Sequence, residues 1–233
     1  MKKINKYKNP PLQMESIKSI GNDGWRFIPL IKTLKKLPSD KKFKLLDVGG
    51  GEQLLKRFLP DNIEYYSLDC MGKQNFVHDL DKFPLPIKDK SFDIIACIET
   101  LEHTLYPHRV IKELLRVAKP DALFVLSMPN EYNFYCRLNF MLNKKTGVQE
   151  PFMIAEKHLH IQLPRVKDII KFFSSYLEIE EINHIWYSRT GYSNNFKGKV
   201  FLFFDKVITP FSKIFPSLFT RTVVVKGRSK NSL

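Results

Sequence analysis

The chain has 233 residues, 43% of them hydrophobic, enough to supply one continuous core in a single domain spanning 1–233. Its first ten residues are rich in lysine and asparagine, and no apolar run approaches the roughly twenty residues that span a bilayer. The sequence therefore reads as cytoplasmic, against secreted and membrane-spanning classes. The formal net charge of +14 gathers toward the two ends, with Lys2, Lys3, Lys6 and Lys8, then Lys32 to Lys44, and finally Arg221 to Lys230. Such a balance favours anionic partners: nucleic acid, lipid head groups or a phosphorylated substrate. Cys70, Cys97 and Cys136 lack the paired spacing of a zinc site or a disulfide framework, so they read as buried thiols and no metal site is expected.

After a basic, helical N-terminal segment (1–42), hydrophobic period and punctuation predict alternating strands and helices over 43–130, the pattern of a parallel sheet covered on both faces. The first strand is expected over 43–48, apolar after Lys44, running into Gly49-Gly50-Gly51. A helix beginning near Glu52 and ending before Pro60 should follow, its free N–H groups aimed at the glycine turn. Further strands are expected at 64–68, ending at Asp69, at 76–77, ending at His78 and Asp79, and at 91–98. A helix over 109–118 turns Val110, Ile111, Leu114, Leu115 and Val117 inward, and a fifth strand covers 122–128. Residues 131–165, rich in aromatics, have the character of a cap. Beyond them come a helix at 166–174, an edge strand at 177–185 and a last strand at 222–225. Between these two strands, 198–219 shows an amphipathic helical pattern, with Val200, Phe203, Phe204, Val207, Phe211, Ile214, Phe215 and Leu218 on one side. Pro210 and Pro216 should divide it. The architecture expected is α/β, Rossmann-like and doubly wound: a mostly parallel seven-stranded sheet with an antiparallel edge strand and a helical, aromatic cap.

In this class ligands lie at the carboxyl ends of the strands, and three acids, Asp47, Asp69 and Asp79, end successive strands there. Glycines let the backbone turn at positive φ and let a ligand approach the main chain. An acid closing the second strand about twenty residues later is placed to accept from both ribose hydroxyls. A dinucleotide fingerprint needs a glycine or alanine where Leu54 stands, which argues against a dehydrogenase.

Four segments carry a resemblance: Leu45-Leu46-Asp47-Val48-Gly49-Gly50-Gly51; Tyr66-Ser67-Leu68-Asp69; Phe83-Pro84-Leu85-Pro86 through Ser91-Phe92-Asp93-Ile94-Ile95; and Ile98-Glu99-Thr100-Leu101-Glu102-His103 with Glu113-Leu114-Leu115-Arg116-Val117. In this order the chain resembles class I S-adenosylmethionine-dependent methyltransferases from about residue 43 to 128. The resemblance implies S-adenosyl-L-methionine as cofactor, with Asp47, Gly49 and Gly51 at its methionine end, Asp69 at the ribose, Asp79 and Leu80 at the adenine, and Glu99 beside the sulfonium. The family commonly has a further glycine where this chain has Glu52-Gln53, which implies looser or different contact on that side. The run His158-Leu159-His160-Ile161-Gln162-Leu163-Pro164 is similar to a segment of bacterial methyltransferases associated with surface-glycan synthesis.

Methyl transfer asks mainly for alignment and exclusion of water, worth up to roughly 7 to 11 kcal/mol of barrier. For a hydroxyl acceptor a base contributes typically about 10²-fold to 10⁴-fold, and His158 and His160 are the candidates; His103 reads as a loop anchor. The expected acceptor is an O or N atom of a small molecule or of a lipid-linked or glycan precursor, with peripheral membrane contact through 198–219. Two alternatives stay open. One is an RNA methyltransferase, favoured by charge but lacking an Asn-Pro-Pro-Tyr-type motif after the fourth strand. The other is a non-catalytic adenosyl-binding or scaffold protein.

Overall fold

A computed structural model describes residues 24–144, 160–186, 203, 207–208 and 210–230. The helix α1 (Ile28–Leu34) precedes β1 (Phe43–Val48), β2 (Ile63–Asp69), β3 (Phe76–Val77), β4 (Phe92–Ile98), α2 (Pro107–Val117) and β5 (Ala118–Pro129). The second half holds α3 (Phe134–Met141), α4 (Val166–Ser174), β6 (Leu177–Ile185), α5 (Pro216–Phe219) and β7 (Thr222–Ser229). One sheet of seven strands runs β3-β2-β1-β4-β5-β7-β6. The first five strands pair in parallel, while β7 is antiparallel to both β5 and β6. The antiparallel pairing expected at the edge is thus made by β6 and β7.

Strand periodicity sorts the core onto two faces. Leu46, Val48, Ile95 and Cys97 pack with Val110, Ile111, Leu114 and Val117 of α2 and Ile169 and Phe173 of α4. Leu45, Ile94, Ala96 and Ile98 face the other way, against Ile28, Leu30, Ile31 and Leu34 of α1. Leu30, Ile31 and Leu34 are completely or almost completely buried, each stabilising the layer by about 1.5–3 kcal/mol. Polar ties then fix the loops that leave the strand tips. Arg116 donates to the carbonyls of Leu85 and Ile87, while Glu113 accepts from the Leu85 amide. Asp81 accepts from the amides of Leu105 and Tyr106 at the entry to α2.

Three expectations are corrected. The segment after the glycines is a 3-10 turn over Leu54–Phe58 rather than an α-helix, because Gln53 adopts a left-handed conformation (φ 55°) and Pro60 closes the segment at once. Only Cys97 is a buried thiol; Cys70 is exposed in the turn beyond the tip of β2, and Cys136 is half-buried on α3. The fifth strand starts four residues early, since Ala118 already pairs with Phe92 before a register irregularity. The helical division at Pro216 is observed: 210–214 are helical, Phe215 bends, and Pro216 opens α5. Residues 198–202, 204–206 and 209 of the amphipathic segment, Val200 and Phe204 among them, and the cap residues 145–159 lie outside the described residues. No described helix is long and apolar enough to cross a membrane.

Candidate active site at the carboxyl edge of the sheet

The sheet order reverses between β1 and β4, and the tips of β1, β2 and β4 stand side by side there. This is where open α/β sheets form their ligand crevice. The glycine turn is built by its own sequence. Gly49 (φ +74°) and Gly50 both donate to the carbonyl of Leu68. At Gly49 a Cβ would lie 2.3 Å from Thr100 Oγ1, and Thr100 itself donates to the carbonyl of Val48, so glycine lets β1 and β4 close together. Gly51 is also left-handed (φ +47°), yet a Cβ there would meet no heavy atom within 4 Å. The side on which that Cβ would project is open, as a cradle for a ligand requires.

Asp69 holds that cradle: its Oδ2 accepts from the Gly51 amide at 3.0 Å and its Oδ1 from the Met71 amide at 3.1 Å. Each oxygen keeps a further lone pair for a hydroxyl donor. Gln53 and Gln74 brace the opposite wall. Gln74 Nε2 donates to the Gly51 carbonyl at 2.8 Å, and Gln53 Nε2 to the carbonyl of Lys73. The departure at Gln53 is therefore a tie between the glycine turn and the loop after β2.

Asp47 is buried beneath this turn, accepting from Tyr65 Oη at 2.7 Å. Burial pushes its carboxyl from 3.8 up to about 7, opposed by the Tyr65 hydrogen bond and the charge of Arg26. Asp79 is half-buried, accepting from the Asp81 amide at 3.0 Å, with Lys82 Nζ 3.8 Å away. Beside it, Leu80 packs on the core edge. Glu99 (φ 51°) is gripped from two sides: Thr222 Oγ1 donates to its Oε1 at 2.6 Å and Arg26 Nη1 lies 3.4 Å from its Oε2. Neither Arg26 nor Thr222 could be recognised from local sequence, because each arrives from a distant part of the chain.

A second acidic group lies three residues beyond Glu99. Glu102, in the turn Leu101–His103, is fully buried and neither carboxylate oxygen has a hydrogen-bond partner among the described residues. Burial, together with Glu99 and Glu131 nearby, holds its carboxyl well above the ordinary range. His160 reaches this turn because the amides of Ile161 and Gln162 both donate to the Glu102 carbonyl. Its Nδ1 lies 2.5 Å from Oε1 of the buried Glu131, just past β5. Its ring meets that of His103 edge to face, with centroids 4.8 Å apart. The other candidate base, His158, lies outside the described residues. Sequence reasoning missed Glu102 and Glu131; the available signals were an acid and histidine together after the β4 tip and an acid directly after β5.

A model of the methyltransferase-domain family matches residues 23–191, and the chain belongs to that family. It is an S-adenosylmethionine-dependent methyltransferase. Among solved structures, a SAM-dependent methyltransferase from Archaeoglobus fulgidus aligns at TM-score 0.55 and 16% identity, covering 94% of this chain and 95% of that one. The structure of a complex between the Haloferax volcanii Trm112 methyltransferase activator and the putative methyltransferase aligns at 0.55 and 17%, with coverage of 94% and 95%. The Burkholderia thailandensis 1,6-didemethyltoxoflavin-N1-methyltransferase, solved with 1,6-didemethyltoxoflavin and S-adenosylhomocysteine, aligns at 0.54 and 10%, covering 95% and 92%. At these identities the likeness is one of fold. No protein of curated function matches the sequence.

Proposed function

We propose that the chain acts as one domain that transfers a methyl group to an O or N atom of a small-molecule, lipid-linked or glycan-precursor acceptor. The observation that carries the reading is the open cradle at Gly51, pinned by Asp69 and flanked by Glu99 on the neighbouring strand tip. These residues fit the cofactor. Gly49 and Gly51 would meet its methionine end from above the buried Asp47, Asp69 would take the ribose hydroxyls, Asp79 and Leu80 the adenine, and Glu99 the sulfonium side. When bound, S-adenosylmethionine supplies an activated methyl group. The protein then has to orient an acceptor lone pair, keep water out and handle the acceptor's proton.

His160 is the described group suited to that last task. Glu131 holds its Nδ1 side and leaves Nε2 directed toward Glu102, 3.9 Å from Oε1. His158, two residues earlier, is the second candidate. Incubating cell extract with isotopically labelled methyl donor and the purified protein, followed by mass spectrometry, should reveal one labelled acceptor class. With that acceptor, His160→Ala and His158→Ala, made separately, test the proton role: slower turnover with unchanged S-adenosylhomocysteine affinity is expected of the base. Full turnover in a variant removes that histidine.

The proposed setting is cytoplasmic, with peripheral contact at the inner membrane face. Phe203, Val207, Phe211, Ile214 and Phe215 are exposed, and Lys213 lies among them, which supports contact of this kind. Phe215→Ser with Ile214→Ser should reduce sedimentation with anionic vesicles at unchanged melting temperature. Undiminished sedimentation would remove this segment as the contact.

A further inference from the structure

We propose that Glu102, His103 and His160 form a binding site for a divalent first-row transition cation beside the proposed methyl-transfer site. One oxygen or nitrogen from each of the three residues falls within a group whose members all lie within 4.8 Å of one another. Glu102 Oε1 stands 4.0 Å from His103 Nε2 and 3.9 Å from His160 Nε2. Donors bound at about 2.1 Å stand roughly 3.4 Å apart at a tetrahedral angle and about 4.2 Å apart when opposed, so the two measured spans can be bridged by one ion. The widest separation, up to 4.8 Å, exceeds the limit of about 4.2 Å, so holding the ion on all three donors requires an imidazole to turn inward.

Three features distinguish this cluster from an ordinary group of surface acids. Glu102 is 0% exposed and neither carboxylate oxygen has a hydrogen-bond partner among the described residues, an arrangement that burial makes costly unless something completes it. His160 is oriented as a metal-binding histidine usually is, one ring nitrogen on a carboxylate and the other turned toward the site. The site is also assembled from separate parts of the chain. The amide bonds from Ile161 and Gln162 to the Glu102 carbonyl bring His160 in, and the tip of β5 supplies Glu131. The His103 side chain is 32% exposed and that of His160 14%, so an ion can enter from solvent.

The donor set decides the class of ion. Two imidazoles and one carboxylate, with no thiolate, suit manganese, iron, cobalt, nickel or zinc in the divalent state, whereas calcium and magnesium favour oxygen donors. Three protein ligands leave coordination positions open. On the methyl-transfer reading, on which this clause rests, an acceptor hydroxyl in such a position releases its proton to water more readily. The His160 lone pair would then serve the proton indirectly, through the ion.

The experiment uses the full chain, stripped with chelator and without cofactor, so that its outcome is independent of methyl transfer. Titration with Mn²⁺, Co²⁺, Zn²⁺ and Mg²⁺ separately, by calorimetry and by the visible spectrum of Co²⁺, should give one equivalent of a transition ion bound more tightly than Mg²⁺. Glu102→Gln and His160→Gln should each weaken that binding at least 30-fold, with circular dichroism melts confirming folded proteins. His108→Gln and Cys70→Ser should leave it unchanged. Absence of stoichiometric binding to the wild type, or binding indifferent to both Glu102→Gln and His160→Gln, overturns the site. S-adenosylhomocysteine affinity, measured in parallel, reports on the cofactor reading alone.

Discussion

Two acidic groups share the carboxyl edge of the sheet and solve the burial of charge in opposite ways. Around the glycine turn, Asp69 is satisfied by backbone amides that also shape the cradle, and Glu99 is held by Arg26 and Thr222. Around the turn Leu101–His103, Glu102 is fully buried and neither oxygen is hydrogen-bonded among the described residues. The first group is preorganised: its hydrogen bonds exist before any ligand arrives, so binding costs little reordering. The second is incomplete, and its chemistry depends on what completes it. The glycine turn also contrasts within itself, since Gly49 is closed against Thr100 and Gly51 is open.

The largest expected effect breaks the preorganised side. Asp69→Ala removes the acceptor that pins Gly51 and the proposed ribose ligand together, and S-adenosylhomocysteine affinity should fall at least about 100-fold, near 3 kcal/mol. Circular dichroism should show the fold retained, because Asp69 lies at a strand tip outside the core. Unchanged affinity would separate the acid from the nucleoside.

Next comes the pair of glycines. Gly49→Ala must meet both a left-handed φ and Thr100, so it should destabilise by about 2–4 kcal/mol in denaturant unfolding. Gly51→Ala meets only the backbone term, about 1 kcal/mol, but places a methyl where the methionine end is proposed to lie. It should therefore weaken cofactor binding far more than stability. If both variants lose the same stability, the distinction between a closed and an open glycine is wrong.

Beneath the turn, Asp47 gives a pH dependence. Its folded pKa, about 7, is raised above the unfolded value near 3.8, so its contribution is fully present below pH 3.8 and is lost as pH rises through 7. Asp47→Asn should flatten the stability profile between pH 5 and pH 8 by roughly 2–3 kcal/mol relative to wild type. Parallel profiles for the two proteins would show that the carboxyl stays charged.

How much of this could be read from sequence follows from the range of the forces involved. The strands β1, β3, α4 and β6 appear where period and turn residues place them, because each is specified by its own apolar pattern. The segment after the glycines differs, since a left-handed Gln53 leaves no periodic signature. Asp69 was legible as a strand-end acid following glycines at a set distance. Glu102 and Glu131 were not, because their meeting with His160 depends on two amides from one loop finding a single carbonyl of another. Arg26 and Thr222 likewise reach Glu99 from 73 and 123 residues away.

That last pair yields the smallest expected effect and the sharpest view of Glu99. Thr222 is buried on β7 and its hydroxyl gives Glu99 a 2.6 Å hydrogen bond, so Thr222→Val, which keeps the shape and the strand preference, should cost about 1 kcal/mol. Arg26 is partly exposed at 3.4 Å, and Arg26→Ala should cost about 0.5 kcal/mol or less from the lost pair. If Glu99 is a brace between the N-terminal segment and the sheet, the double variant should lose measurably more or less than the sum, because both partners act through one carboxylate. If it serves the sulfonium side of a cofactor instead, stability should be nearly additive while S-adenosylhomocysteine affinity shifts in each single variant. Additive stability with unchanged affinity would leave Glu99 with neither role.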